Sequence, residues 1–387
     1  MKVLIACDSF KDALDAPSVC RAIERGLQLA DPSVSTRIFP LADGGEGLSE
    51  ILNFHLGLKK VEIEVYDPLF RKIKAFYSLS SDNQTAFIEM AQAAGLQLLT
   101  NEERNPLKTT TFGVGEMIND ALKNDAKHIV LGIGGSATND VGIGMAAALG
   151  WQFLDKNGEN LIGIGENLSR IQKIVPPASG GWLMSSGKWI VTPRRFDKVV
   201  FDVMCDVTNP LYGEHGATCT YARQKGATDD MISILDEGLK TFAHLFADNF
   251  YPAEKLAMTK GSGAAGGLGF GAIAFLTANL KSGIDAMMDL TDFDKEIAWA
   301  DIIITGEGRL DNQTAHGKLI AGIISRAQQK PVIALCGAVD APPQYLNDLG
   351  LKAAFSIAQK PCLLQEALNL TAENLEKTAF NVGRLLF

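Results

Sequence analysis

Short apolar segments followed directly by polar, glycine-bearing loops recur along this chain of 387 residues. This pattern constrains the fold more than any other feature, because it is typical of strands that lead into ligand-binding loops. The clearest loop, residues 132–140, follows the apolar segment 127–131 and precedes residues 141–149, which are rich in Gly, Ala and Met. We predict a strand, a loop and a helix in that order. The loop is either an anion site at a helix start or a tight turn capped by Thr138 or Asn139.

Strand and helix patterns alternate at both ends of the chain, which predicts a parallel sheet covered by helices. The helix predicted for residues 16–30 places apolar Val19, Ile23 and Leu27 on one face. It has a proline at its start, where the first turn of a helix tolerates one. The predicted strands are residues 2–6, 36–41, 301–305, 331–336 and 353–357, and the helices predicted near the C-terminus are residues 318–328 and 343–349.

The middle of the chain has a different pattern. Residues 61–66 and 72–79 alternate apolar with polar side chains, which predicts a β-hairpin. Antiparallel pairing inside an otherwise parallel pattern indicates a second, inserted domain. We therefore predict an α/β protein of two α/β domains. A Rossmann-like parallel-sheet domain comprises residues 1–66 and 292–387, a mixed α/β domain is inserted at residues 67–291, and the active site is expected in the cleft between them.

Charge and cysteine usage exclude several classes of protein. The chain has 36 Lys and Arg against 45 Asp and Glu, and no stretch concentrates basic residues, so we expect no nucleic-acid partner. The N-terminus lacks the apolar run of a signal peptide, and the longest apolar stretch, residues 263–280, is interrupted by glycines, so we expect no membrane partner. The six cysteines form no C-x-x-C pair. This usage is typical of the reduced cytoplasm, where we expect the protein to lie.

Polar residues directly after the predicted strands are the candidates for chemistry, because open α/β sheets bind ligands outside the carboxyl ends of their strands. Three loops in the outer domain, residues 8–11, 42–47 and 306–311, each carry a carboxylate, and two of them add a Lys or an Arg. Simpler interpretations remain open for single residues. Glu46 could complement a helix dipole, and Glu307 with Arg309 could form an exposed ion pair.

Two further loops lie in the predicted inserted domain. Asp206 and Asn209 could offer oxygen atoms to a hard cation or a hydroxylated substrate, or they could form a turn before Pro210. The glycine-dense segment 260–271 serves either the close packing of two backbones or the binding of phosphate.

The loop of residues 132–140 is also compatible with a dinucleotide-binding protein. Residues 132–137 fit the spacing G-x-G-x-x-A between a strand and a helix, as in nicotinamide-dependent oxidoreductases. Residues 267–272 satisfy the same spacing with no strand before them, however, so the pattern is weak. Asp140 would also place a carboxylate near the pyrophosphate, which is unfavourable unless a metal ion is present.

Phosphoryl transfer suits the whole set of loops better. It needs N–H donors for phosphates, carboxylates for a divalent cation, cationic groups for developing charge, and a carboxylate for the acceptor's proton. The chain supplies all four kinds of group but has neither a Walker A motif nor the protein-kinase motifs. A kinase with this sequence would use another nucleotide-binding scaffold.

Seven motifs, in order along nearly the whole chain, resemble those of the type I glycerate kinase family. They are residues 8–11, 42–47, 105–107 with 109–115, 132–140, 205–207 with 209–211, 224–228, and 305–309 with Asp311. The resemblance implies a kinase that uses ATP and Mg²⁺ to phosphorylate D-glycerate, typically to 2-phospho-D-glycerate. It also implies two α/β domains, one inserted in the other. The chain departs from the family at Cys7, where a proline is usual, and in residues 176–198.

The chemistry of each loop suggests its role in such a reaction. Arg309 and Lys11 are the cations expected to bind substrate charge, and Asp43 is the expected proton acceptor, with Asp311 as second choice. The substrate-binding candidates are Asp8, Ser9, Gly44, Gly45, Glu46 and Asn209; the ATP-binding candidates are Gly132, Gly134, Gly135, Ser136, Ala137, Thr138 and Asn139; and the candidate Mg²⁺ ligands are Asp140, Asp206 and Glu307. Two alternatives stay open: a nicotinamide-dependent oxidoreductase and a non-catalytic sensor of nucleotides or sugar acids. A homo-oligomer is compatible with the sequence.

Overall fold

The computed structural model describes the chain except for residues 43–47, 178–181, 186–187, 192–197, 252–254 and 312–318, and it describes the backbone alone at residues 48–49, 182–185, 188–191, 251 and 311. The chain divides into two compact units. One comprises Met1–His55 and Ser282–Phe387, and the other, Leu56–Lys281, is inserted between them in sequence. Each unit contains a sheet with helices, so the predicted fold class of two α/β domains is confirmed.

The first unit is built on a fully parallel sheet. Two of its central strands, Ile302–Gly306 and Val332–Cys336, are buried at every residue. Such continuous apolar runs are typical of parallel strands that are covered on both faces. In spatial order the five strands are Ala353–Ser356, Val332–Cys336, Ile302–Gly306, Lys2–Cys7 and Ser35–Ile38. A two-stranded parallel ribbon joins Arg309–Asp311 to Ala338–Asp340.

Helices of the first unit pack by their apolar faces. Helix Ala16–Ala30 begins at Asp15, whose carboxylate accepts a hydrogen bond from the Ser18 amide at 2.7 Å. It packs closely on helix Thr371–Leu386, since a Cβ at Gly26 would lie 2.3 Å from the Glu376 carbonyl oxygen. Each large aliphatic side chain buried between them stabilises the fold by about 2 kcal/mol. The other helices are Leu48–Leu56, Gly283–Leu290, Phe293–Trp299, Leu319–Arg326, Pro343–Leu349 and Leu364–Asn369.

The second unit is built on a six-stranded mixed sheet. Its strands, in spatial order, are Asn279–Lys281, Val200–Met204, His128–Gly132, Thr85–Glu89, Lys72–Leu79 and Lys59–Tyr66. The first four are parallel, and the last two are the antiparallel hairpin that the alternating pattern predicts. Glu89 and Met204 both pair with Gly132, so the carboxyl ends of three strands meet at that residue.

Smaller elements complete the second unit. Residues 176–198, where the chain departs from the family, contain an antiparallel pair, Trp182–Ser185 with Lys188–Val191, which is joined to Phe250–Tyr251. Gln152–Leu154 pairs with Lys173–Val175. The α-helices are Ala91–Ala94, Phe112–Lys123, Ile143–Ala148, Ala217–Tyr221, Asp229–Asn249 and Ala264–Leu276, and the 3-10 helices are Leu96–Leu98, Asn101–Glu103, Gly165–Arg170, Arg223–Lys225 and Leu256–Met258.

The two units divide about ten residues before each of the boundaries expected from the sequence, 66/67 and 291/292. Strand Lys59–Tyr66 pairs along its whole length with Lys72–Leu79, which ties it to the second unit. Arg326 reaches the carboxylates of Asp285 and Asp289 at 3.2 and 2.8 Å, which ties their helix to the first unit. Among the described helices, none is long and apolar enough to cross a membrane.

Candidate functional site

In the first unit, the carboxyl ends of two central strands bring Asp8 and Glu307 to the same edge of the sheet. Cys7 lies opposite Gly306 in the register of the strands, and the amide of Asp8 donates to the Gly306 carbonyl at 3.0 Å. Next to them, the amide of Leu41 donates to the Cys7 carbonyl at 3.0 Å. This is the edge at which open α/β sheets bind ligands.

The loops that carry Lys11 and Arg309 adjoin at this edge. A Cβ at Gly308 would lie 3.8 Å from the amide nitrogen of Lys11, so the two backbones are near neighbours. Lys11 is exposed, and the Arg309 guanidinium forms an ion pair with Asp340 in which both side chains are more than half exposed. Exposed ion pairs contribute little to stability, so this pair with Asp340 costs little to break.

A cavity of about 380 Å³ opens beside Asp8 and Ser9. The start of helix Ala16–Ala30 forms one wall, and Asp15 and Arg21 line it together with Glu50. Asp8 and Ser9 are half-buried, and Asp8 Oδ1 accepts the amide of Ser9 at 2.6 Å. Arg21 adds a cation that is not among the polar residues directly after the predicted strands, because it lies one turn inside a helix.

Several predicted residues of this unit lie outside the described part of the chain. Asp43, Gly44, Gly45 and Glu46 are among residues 43–47, and only the backbone of Asp311 is described, at the end of strand Arg309–Asp311. Their roles stay predictions.

Two buried thiols lie beneath the same edge. Burial raises the pKa of Cys336 to about 12, a shift that a hydrogen bond with the Glu307 backbone partly opposes. Burial and the neighbouring thiol of Cys20 raise the pKa of Cys7 in the same direction. These thiols are therefore protonated at neutral pH and fill core space, and all six cysteines of the chain are free.

In the second unit, the loop that follows strand His128–Gly132 has an exposed tip and a buried base. Gly134 and Gly135 are exposed, and a Cβ at Gly134 would meet no other atom within 4 Å. Gly135 has a φ of +70°, which favours glycine. Within residues 132–140, this tip is where a ligand can approach the backbone closely.

The base of the loop is inaccessible to a ligand. Ala137, Thr138 and Asn139 are at most 1% exposed, and Ser136 is 7% exposed. The Ala137 carbonyl accepts the Thr109 hydroxyl, and the Asn139 amide group donates to the Thr218 hydroxyl. The base therefore supports the tip and presents no side chain to a nucleotide.

Asp140 occupies the helix start that the sequence suggested for a phosphate. Its carboxylate is fully buried and accepts hydrogen bonds from the amides of Gly142 and Gly144, each at 3.2 Å. The amide and hydroxyl of Thr111 donate two more, each at 2.8 Å. The helix itself, Ile143–Ala148, is only six residues long. Because the Asp140 carboxylate already accepts these four hydrogen bonds, the helix start does not fit the pyrophosphate of a dinucleotide. The role of Asp140 as a metal ligand stays a prediction.

Lys225 is a second buried charge near Asp140. It is 1% exposed, and its ammonium donates to the Thr138 carbonyl at 2.7 Å. Burial lowers the pKa of Lys225 to about 7, while the Asp140 carboxylate opposes that shift. Burial raises the pKa of Asp140, which its four hydrogen bonds oppose. The sequence signal for both Lys225 and Thr111 is their presence in two of the seven motifs.

Asp206 and Glu89 flank the exposed glycine tip along the sheet edge. Asp206 is exposed and follows strand Val200–Met204 by two residues. Glu89 ends the neighbouring strand on the other side and pairs with Gly132. Glu89 could have been predicted from the sequence as a polar residue after a strand, since it follows the apolar residues 86–88 directly. Carboxylates at this position can share a divalent cation with bound phosphates.

The side chain of Asn209, in contrast, forms hydrogen bonds with nearby residues of its own unit. Its Oδ1 accepts the Tyr221 hydroxyl at 2.7 Å, and its Nδ2 donates to the His215 carbonyl at 2.8 Å. A role in substrate binding would require breaking these bonds.

The glycine-dense segment 260–271 serves close packing. Residues 265–267 have left-handed backbone conformations, and a Cβ at Gly266 would lie 2.0 Å from the Thr138 carbonyl oxygen. The Gly266 carbonyl in turn accepts the Val141 amide at 3.2 Å. This geometry favours the packing interpretation of the segment over phosphate binding.

A parallel sheet whose carboxyl edge carries carboxylates and cations, with a second sheet whose edge carries an exposed glycine tip beside a carboxylate, fits an α/β phosphotransferase. A model of the glycerate kinase family matches residues 3–387, and the chain belongs to that family. Its members are phosphotransferases with an alcohol group as acceptor.

Known relatives match the chain along nearly its whole length. It is 43% identical to the glycerate kinase of Bacillus cereus, over 99% of this chain and 97% of that protein. It is 38% identical to the glycerate 2-kinase of Escherichia coli, over 100% of this chain and 98% of that protein. A crystal structure of a Salmonella typhimurium protein described as glycerate kinase 2 has a TM-score of 0.84 and 41% identity, and the match covers 100% of this chain and 98% of that one.

Proposed function

We propose that the protein transfers the γ-phosphoryl group of ATP to the 2-hydroxyl of D-glycerate, with Mg²⁺, and releases 2-phospho-D-glycerate and ADP. The observation that carries the proposal is the exposed Gly134–Gly135 tip beside Asp206, at an edge where three strand ends meet. Membership of the glycerate kinase family supports the substrate, and a relative named glycerate 2-kinase supports the position of the phosphoryl group.

The backbone of Gly134 and Gly135 would receive the phosphates of ATP, because N–H groups without nearby side chains can approach phosphate oxygens closely. Residues 136–139 would act indirectly, by holding this tip in place. Gly132, which ends the strand, would set the position of the tip relative to Asp206.

A magnesium ion fits the residues present at this edge. Among the described residues, no group of three or more His, Cys, Asp or Glu side chains could hold a metal by itself. Mg²⁺ bound with a nucleotide needs only one or two carboxylates, since phosphate oxygens and waters supply the other ligands. Asp206 is the ligand we favour at this edge, and the role of Glu307, which lies in the first unit, stays a prediction. When bound, the ion would neutralise charge on the phosphates.

Binding of glycerate would rest on the first unit. Arg309 and Lys11 would bind its carboxylate, and Asp8 and Ser9 would bind its hydroxyls, with Gly44, Gly45 and Glu46 nearby in sequence. Asp43 would accept the proton of the attacking hydroxyl, and Asp311 is the second choice.

The reaction itself can be tested directly. The purified protein is incubated with ATP, Mg²⁺ and D-glycerate, and the product is identified by phosphorus NMR, which distinguishes 2-phosphoglycerate from 3-phosphoglycerate. Reactions with L-glycerate, without glycerate and with a chelator serve as controls. Absence of any phosphoglycerate at several pH values would overturn the proposal, and 3-phosphoglycerate as sole product would overturn its regiochemistry.

The role of Asp43 has its own test. Asp43→Asn should lower kcat by about 100-fold or more, because general-base catalysis typically contributes that much. Asp12→Asn is a matched control. Asp12 is exposed, with a φ of 62° that asparagine tolerates, and its substitution should leave kcat unchanged. Turnover of Asp43→Asn within a few-fold of the parent would exclude Asp43 as the base.

A further inference from the structure

The backbone of Lys225 is constrained, and its side chain donates a hydrogen bond to a carbonyl of the loop 132–140. Lys225 ends the 3-10 helix Arg223–Lys225, and its ammonium donates to the Thr138 carbonyl at 2.7 Å. Gly226 follows with a φ of +90°, and a Cβ there would lie 2.2 Å from the Arg104 carbonyl oxygen. The backbone around Lys225 is thus tightly constrained, and it aims the side chain into the base of the glycine loop.

Thr138 depends on this donor. Its side-chain oxygen and the Oδ1 of Asn139 are buried and have no hydrogen-bond partner among the described residues. Without Lys225, the Thr138 carbonyl would become another buried acceptor with no donor, in a place where Gly266 leaves no space for a side chain. A turn with so many unsatisfied groups would rearrange.

The exposed tip of the loop is held through this same turn. The Ala137 amide donates to the Ala94 carbonyl at 2.8 Å, and the Gly135 carbonyl accepts the Leu96 amide at 2.9 Å. Lys225 fixes the next residue along the chain, Thr138. Its hydrogen bond and that of the Asn139 amide group to the Thr218 hydroxyl therefore restrain the chain between the exposed tip and the buried Asp140 turn.

A buried lysine is a costly way to supply one hydrogen bond. Moving an ammonium group out of water is expensive, and a neutral donor would avoid that penalty. Attraction to the Asp140 carboxylate offsets the penalty only in part, as the lowered pKa of Lys225 indicates. A long cationic side chain at this position suggests a role beyond stability.

We propose that Lys225 is a positioning residue for the ATP phosphates, an inference that rests on the proposed function. By holding the Thr138 carbonyl, Lys225 keeps the Gly134–Gly135 backbone oriented to receive these phosphates. Lys225 itself is too deeply buried to contact the nucleotide, so it acts through the loop.

The test compares Lys225→Met with Arg223→Met. Methionine has a similar length to lysine and cannot donate, and Arg223 lies in the same short helix in an exposed ion pair with Asp229. In Lys225→Met we expect the KM for ATP, and the Kd of a non-hydrolysable ATP analogue with Mg²⁺ measured by calorimetry, to rise about tenfold. The KM for D-glycerate should change by less than about twofold. In Arg223→Met all these values should match the parent.

Other outcomes of these experiments separate the positioning role of Lys225 from the proposed function. A folded Lys225→Met protein with the parent's KM and Kd for nucleotide, or with equal losses for both substrates, would overturn the positioning role. If Lys225→Met does not fold, Lys225→Gln replaces it. An unchanged KM for ATP in Lys225→Gln would likewise overturn the positioning role. A parent protein that binds the analogue but forms no phosphoglycerate would refute the proposed function alone.

Discussion

The carboxylate of Asp140 accepts two hydrogen bonds from Thr111, one from its amide and one from its hydroxyl, each 2.8 Å long. Thr111 precedes helix Phe112–Lys123, and Asp140 precedes helix Ile143–Ala148. One buried anion thus joins the starts of two helices. The Thr111 hydroxyl extends the network, since it accepts the Met145 amide at 2.8 Å.

Asp140→Asn should destabilise the protein strongly. The substitution turns one acceptor oxygen into an N–H₂ group that faces N–H donors, and it leaves buried donors without a partner. We expect a loss of about 3 kcal/mol in the free energy of unfolding. Urea denaturation followed by circular dichroism measures it. Asp248→Asn, at an exposed position of helix Asp229–Asn249, is the control and should change stability by less than about 0.5 kcal/mol. Equal midpoints for the two variants would contradict the structural role of Asp140.

Lys225 should make stability depend on pH. Its pKa is about 7 in the folded protein against an ordinary value of 10.5, so between these values the unfolded chain binds more protons than the folded one. The contribution of Lys225 to stability therefore rises as the pH increases from about 7 to about 10. Denaturant midpoints of the parent and Lys225→Met across this range should show a smaller rise in the variant. Parallel curves would mean that Lys225 titrates normally.

Gly266→Ala and Gly158→Ala should separate close packing from backbone strain. Both glycines have positive φ angles, 67° and 82°. A Cβ at Gly266 would lie 2.0 Å from the Thr138 carbonyl oxygen, whereas one at Gly158 would meet nothing within 4 Å. Gly158→Ala should cost about 1 kcal/mol from the left-handed conformation alone. Gly266→Ala should cost about 3 kcal/mol, because steric overlap is added. Similar losses of thermal stability in both variants would show that the Gly266 contact is not rigid.

Gly134→Ala should impair nucleotide binding without impairing folding. A methyl group at Gly134 has open space around it and a permissible backbone conformation, so thermal stability should stay close to that of the parent. On the proposed function, the same methyl group would obstruct the approach of phosphates and raise the KM for ATP about tenfold. The KM for D-glycerate provides the internal control. An unchanged KM for ATP would place the phosphates elsewhere.

Local sequence patterns predict much of this fold because each depends on neighbouring residues. The amphipathic spacing of Val19, Ile23 and Leu27 defines helix Ala16–Ala30, and two alternating segments define the hairpin before and after Asp67. The domain boundaries are less predictable. They depend on which sheet a strand joins and on contacts such as that of Arg326 with Asp289, made by residues far apart in sequence.

The sequence by itself determined that this chain forms two α/β domains, and its ordered motifs identified the glycerate kinase family. Only the tertiary structure decided which residues of the loop 132–140 can meet a ligand. The motif does not distinguish exposed Gly134 from buried Asp140, because burial depends on distant residues: Thr111, Lys225 and Gly266 enclose the base of the loop from three other segments. Asp140 thereby takes the place at a helix start that the sequence suggested for a phosphate.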